Sequence, residues 1–225
     1  MRFSAVLAGL FLFWSLPAAA GAAIFGTAEF RAGSLAALPQ WRRVLAAIEK
    51  ERPLYERCAR SREECPSRAI YAWQSLLRGL EGEPLEEQMR QVNRFINQWR
   101  YRTDRNNYGR SDYWASPAEF FARSGDCEDY AIAKYVSLRA LGVPAEQLRL
   151  VVLQDTLRRI PHAVLAVYVD KDIYILDNQT NAILTDRRIS HYRPYYSVNE
   201  NARWAHVPAG TPLVSLKLPQ VQPAK

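Results

Sequence analysis

Apolar positions recur at helical spacing through the first half of the chain and at strand spacing through the second. Trp41, Val44, Leu45 and Ile48 fall at i, i+3, i+4 and i+7. Ile70, Trp73, Leu76, Leu77 and Leu80 repeat that spacing, as do Met89, Val92, Phe95, Ile96 and Trp99. Each set defines one face of an amphipathic helix whose aromatic stripe reads as core. Pro84 occupies a first-turn (N1) position ahead of Glu86 and Glu87, which favour a helix N-terminus. Residues 102–116 are polar and turn-rich and predict a loop. Ser116-Pro117 opens a short helix carrying Phe120 and Phe121, and Asp126 can cap a longer one over about 127–141 with Asp129 at N3. Gly142 and Pro144 stop it. Short β-branched runs follow at 148–153, 163–169 and 173–176, with further strands expected near 181–185 and 192–198. Helices first and strands second predict an α+β fold with an antiparallel sheet.

The two ends differ from this body. Met1-Arg2, an apolar run to Leu16, Pro17 and three alanines read as a secretory signal peptide over 1–20. Residues 21–40 read as a loose lead-in, 41–206 as the folded domain, and 207–225 as an extended or disordered tail. After signal removal no run approaches spanning length, so the mature chain is expected not to span a membrane. Composition is ordinary for a globular protein, with 48% hydrophobic and 24% charged residues. The formal charge of +7 permits acidic partners. No basic block interleaves with aromatics as a nucleic-acid groove would, so nucleic acid is not an expected partner.

An exported chain changes the reading of its 3 cysteines. In an oxidising compartment Cys58 and Cys65 are close enough in sequence to bridge. Cys127 is then left over, at the first turn of a helix, where backbone N–H groups favour a thiolate. Asp126, Glu128 and Asp129 flank it and oppose ionisation of the thiol. A divalent cation would remove that conflict, and hard carboxylate oxygens suit Ca²⁺, although the spacing falls short of an EF-hand loop. A thiolate needs a base. His162 begins a predicted strand, and a two-residue turn at Asp170-Lys171 would set Asp177 opposite Val164, diagonal to His162 on one sheet face. A three-residue loop would place them on opposite faces. With the helix end packed on that face, Cys127 would be nucleophile, His162 base and Asp177 its orienting acid. That chain order is the papain and transglutaminase arrangement.

The stretches DYWASPAEFFARSGDCEDYAIAKYVSLRALGVP, PHAVLAVYV and YILDNQT closely resemble the bacterial transglutaminase-like cysteine proteinases of the LapG type. The resemblance covers about Trp41 to Trp204. It implies a papain/transglutaminase-like core, Cys127, His162 and Asp177 as the triad, and Asp126 and Glu128, with Asp129 a weaker candidate, as calcium ligands. It also implies a periplasmic protease that clips the N-terminal region of a large secreted adhesin, releasing it and dispersing biofilm. An inner-membrane cyclic-di-GMP receptor would sequester the enzyme. Two features lie outside the resemblance: the Cys58/Cys65 pair and Arg158-Arg159 just before His162. A transglutaminase or amidase using the same triad, and a calcium-dependent binding module with a vestigial one, are the competing readings.

Overall fold

The computed structural model describes residues 23–210. Helices α1 (Pro39–Arg60), α2 (Arg68–Leu80), α3 (Leu85–Ile96), α4 (Asp104–Tyr108), α5 (Pro117–Arg123) and α6 (Cys127–Ala140) come first, after a single early strand β1 (Thr27–Ala32). Strands β2 (Leu148–Asp155), β3 (Ile160–Val169), β4 (Asp172–Leu176), β5 (Leu184–Thr185), β6 (Tyr192–Val198) and β7 (Arg203–Pro208) follow. They form one antiparallel sheet in the order β1-β7-β6-β2-β3-β4-β5. The fold is α+β, as the pattern predicts.

The helical stripes are buried as their spacing requires. Trp41, Val44, Ile70, Trp73, Met89, Val92 and Ile96 all enter one large core. Ser67 caps α2 by accepting the Ile70 N–H, and Ser116 caps α5 opposite Glu119, which returns a bond to the Ser116 N–H. A disulfide joins Cys58, in the last turn of α1, to Cys65 ahead of α2. Pro84 is the N-cap residue of α3 rather than its first helical residue.

Helix α6 is the hub. Every residue from Asp129 to Leu138 is buried, the signature of a helix covered on all sides. Its partners are α3, α5 and the sheet, against β2 and β3. Alternation along β3 sends Leu165 and Val167 into the helix-packed core. Val164 and Ala166 go instead to a smaller core on the far face, with Leu153, Ile173, Ile175 and Tyr192.

Three segments depart from the sequence expectation. The lead-in contains β1, which pairs with β7 along its full length. The folded domain therefore reaches beyond 41–206 at both ends, with β7 extending to Pro208. The expected loop at 102–116 holds α4, a five-residue turn of helix whose one buried residue is Asp104. The predicted signal peptide at 1–20 and most of the 207–225 tail lie outside the described residues. No helix among those described is long and apolar enough to cross a membrane.

Candidate functional site

The β3–β4 hairpin turns through two residues, Asp170 and Lys171, with Val169 paired to Asp172 and Leu165 to Leu176. Asp170 adopts φ 51°, the left-handed conformation that such turns need. This register carries Asp177 to the His162 side of the sheet. His162 Nε2 lies 2.9 Å from Asp177 Oδ1, and both side chains are buried. Burial alone would raise the Asp177 carboxyl, yet the bonds from His162, the Tyr192 hydroxyl and the Gln179 N–H hold it below the usual carboxylate range. Tyr192 OH donates to Asp177 Oδ2 at 2.6 Å, and Gln179 N donates to Oδ1 at 3.0 Å. With Nε2 occupied by Asp177, Nδ1 is the ring nitrogen left for chemistry.

Cys127 opens α6 immediately after its cap Asp126. Its thiol lies 3.2 Å from Glu128 Oε2 and also contacts the backbone of Ala163, the residue that follows His162. The helix covers the face of Leu165 and Val167, and its N-terminus reaches β3 at Ala163. No hydrogen bond joins the thiol to the imidazole among the described residues. Burial pushes the thiol well above its ordinary value, and the Glu128 and Asp126 carboxylates push it further. The tension read from the sequence is thus present in the structure.

The acids form a wider cluster than the three flanking residues. Oxygens of Asp104, Asp126 and Asp129 lie within 4.8 Å of one another, and so do those of Asp104, Asp112 and Glu128. Asp104 belongs to both groups, so the predicted set Asp126, Glu128 and Asp129 is joined through a residue the sequence reading passed over. Burial, then repulsion from Asp126, raises Asp104 to about 7 and lifts Glu128 and Asp129 well above the carboxylate range. Asp126 itself is raised, chiefly by burial. Asp104 Oδ1 and Asp126 Oδ1 are buried with no hydrogen-bond partner, and such groups are rare unless something else satisfies them. Clustered hard oxygens, two of them unsatisfied, fit a Ca²⁺ ion. Asp129 fits less well as a ligand. Its Oδ1 accepts the Ala115 N–H at 2.6 Å and its Oδ2 the Asp126 N–H at 3.1 Å, so it braces two loops.

Tyr192, Gln179 and Asp104 are the functional neighbours that sequence reasoning missed. Gln179 had a local signal, because an Asp side chain commonly accepts the N–H two residues on. Tyr192 arrives from β6, across the sheet, and nothing near Asp177 in sequence announces it. Lys134 is also notable: it is wholly buried on α6, its Nζ has no hydrogen-bond partner, and burial lowers it to about 7 against the pull of Asp177.

Residues 49–211 match the family described as bacterial transglutaminase-like cysteine proteinase. The structure resembles calcium-bound LapG of Legionella pneumophila at 35% identity and a TM-score of 0.59, covering 70% of this chain and 87% of that one. EGTA-treated LapG from the same organism matches at 35% identity and 0.58, over 70% of this chain and 84% of that one. No protein with a curated description matches the chain. A match across most of the sequence, agreeing with the α+β fold, establishes that the chain belongs to the bacterial transglutaminase-like cysteine proteinases and is a cysteine protease of the LapG type.

Proposed function

We propose that Cys127, His162 and Asp177 form the catalytic triad of a calcium-dependent endopeptidase. It acts in the periplasm on the N-terminal region of a large secreted adhesin, and so controls biofilm attachment and release. The observation that carries this reading is the buried His162–Asp177 bond, with the Cys127 sulfur against the next residue of the same strand. In this reading His162 Nδ1 takes the thiol proton and the sulfur attacks the scissile carbonyl. The leaving amine then departs with the proton, and water hydrolyses the acyl-enzyme with His162 as base. The N–H groups of Cys127 and Glu128 come before the bonds that Asp129 and Tyr130 make to the Asp126 carbonyl, and they supply donors for the developing oxyanion. Asp177, fixed by Tyr192 and Gln179, holds the ring and steadies its cationic form.

Asp104, Asp126 and Glu128 would hold Ca²⁺, with Asp129 bracing them, and the ion supplies positive charge that offsets the carboxylates around the thiol. LapG of Legionella pneumophila has been observed in calcium-bound form, which supports the same dependence here. The basic start and apolar run of residues 1–20 support export, and resemblance to the LapG type supports sequestration by an inner-membrane cyclic-di-GMP receptor.

The test is incubation of the purified protein with a candidate adhesin N-terminal fragment. Cleavage is expected with Ca²⁺, lost on EGTA, restored by Ca²⁺ rather than Mg²⁺, and absent in Cys127→Ala and His162→Ala. Amine-labelled or cross-linked product without hydrolysed fragments would replace the protease reading by acyl transfer. Processing that survives Cys127→Ala would remove the triad altogether.

A further inference from the structure

The hairpin that presents His162 ends in a tip which the catalytic reading does not use. Residues 156–160 read Thr-Leu-Arg-Arg-Ile. Leu157 is 75% exposed and Ile160 45% exposed, although burying such side chains is favourable by ~1.5–3 kcal/mol each. The tip is firmly held. Asp155 Oδ1 accepts the N–H groups of Leu157 and Arg158 at 3.0 Å each, and Thr156 bonds the His191 carbonyl through both its N–H and its hydroxyl. Arg159 takes φ 61°, a left-handed conformation unfavourable for a residue with a side chain. A well-anchored and locally strained backbone thus carries two apolar side chains and two exposed arginines. Neither arginine ion-pairs among the described residues. Arg193 and the 41% exposed Tyr195 of β6 flank the same end of the sheet, since Gln154 pairs with both Pro161 and Arg193.

We propose that this hairpin tip is a substrate subsite, reading an acidic and partly apolar stretch of polypeptide a few residues from the cleaved bond. The proposal rests on the proteinase reading and names the substrate class for that same site. Charge selects the occupant. Guanidinium groups flanking exposed apolar side chains complement carboxylates beside aliphatic residues, whereas a second copy of this chain docked tip to tip would set Arg158 and Arg159 against themselves. Distance sets the position. Arg159, in the turn, is three residues before His162 on β3 and so at most about 10 Å from it; an extended substrate lying along the hairpin meets the arginines roughly three residues from the reacting carbonyl.

Three peptides spanning the bond cut in the adhesin fragment test this. They differ only three and four residues from that bond on each side, carrying Asp and Glu, their amides Asn and Gln, or lysines. Wild-type protein is expected to prefer the acidic peptide over the amide by about three- to tenfold in kcat/KM, the size of one or two exposed ion pairs. The effect should lie in KM and shrink with added salt. In Arg158→Glu/Arg159→Glu the order should invert, with the lysine peptide cut best and kcat for the amide peptide unchanged. Both positions are on the surface, and an unchanged melting temperature confirms that the variant is folded. If wild type and variant rank the three peptides alike, or the variant slows all three equally, the tip is not a substrate subsite. If wild type cuts none of them while Cys127→Ala behaves identically, the protease reading fails and takes the proposal with it.

Discussion

Asp177 accepts bonds from a strand residue, a turn residue and a tyrosine three strands away in the sheet order. Three donors on one carboxylate fix the imidazole more firmly than His162 and Asp177 could alone. Tyr192→Phe keeps the ring packed beside His162 and removes only the donor. A hydrogen bond to a charged group is worth about 1.5–3 kcal/mol; kcat is expected to fall at least tenfold with KM little changed, as steady-state assays would show. Asp104→Asn is expected to leave the fold intact and raise the free Ca²⁺ needed for half-maximal cleavage, measured in EGTA-buffered titrations. If the midpoint does not move, Asp104 is not a ligand. At this scale the sequence marked the three residues of the proposed triad but not their setting. Cys127 stood out by cysteine count and helix position, and the Asp170-Lys171 turn related His162 to Asp177. Tyr192 and Asp104 carry no local mark, because their meaning comes from residues distant in the chain.

The helix N-terminus around Cys127 depends on a close approach that only glycine permits. A Cβ at Gly125 would lie 2.0 Å from Asp129 Oδ2. Gly125→Ala is therefore expected to dislodge Asp129 from the Ala115 and Asp126 N–H groups, lowering both melting temperature and activity. The Cys58–Cys65 bridge belongs to a different part of the fold, between α1 and α2. Closing so short a loop contributes about 2 kcal/mol by the chain-entropy model. Cys58→Ser/Cys65→Ser should lose that much in denaturant unfolding while keeping activity per folded molecule. Elements with a strong apolar period were legible in the sequence, including α1, α2, α3 and β3. β1 was not, because it is an edge strand with no buried residue and hence no alternation to read. Short α4 escaped for a related reason: it buries a carboxylate rather than an apolar side chain.

Across the whole molecule, the sheet has a second polar cluster far in sequence from the triad. His206 bonds Ser197 Oγ through Nε2 (2.8 Å) and Thr27 Oγ1 through Nδ1 (3.2 Å). Burial, helped by Arg149 and resisted by Glu29, lowers it to about 4. The folded state therefore favours the neutral ring, while the unfolded chain takes up a proton near the ordinary histidine value of about 6.5. Below that value the unfolded state binds more protons, so this contribution to stability is complete above pH 6.5 and lost as the pH falls to about 4. Over that window the melting temperature of the natural protein should fall relative to that of His206→Gln. Arg149 completes the cluster, with its guanidinium over the rings of Trp204 (3.8 Å) and Tyr168 (4.4 Å) and an ion pair to Glu29. The net charge of +7 had no evident address in the sequence. Two of its arginines now have one at the tip beside His162.

The pairing of β1 with β7 sets Thr27 across from Pro208, so the two extremities of the described fold are neighbours about 5 Å apart. Forming that pair requires closure of a loop almost as long as the described chain, the slowest kind of contact to make. A ring-closed protein, with a few linking residues joining Pro208 to Ala23 and a new opening at Gly82-Glu83, the exposed turn between α2 and α3, would turn this remote pairing into a local one. It should fold faster than the natural chain and cleave the same bond, because the proposed triad lies on α6, on β3 and just after β4, none of which the rejoining disturbs.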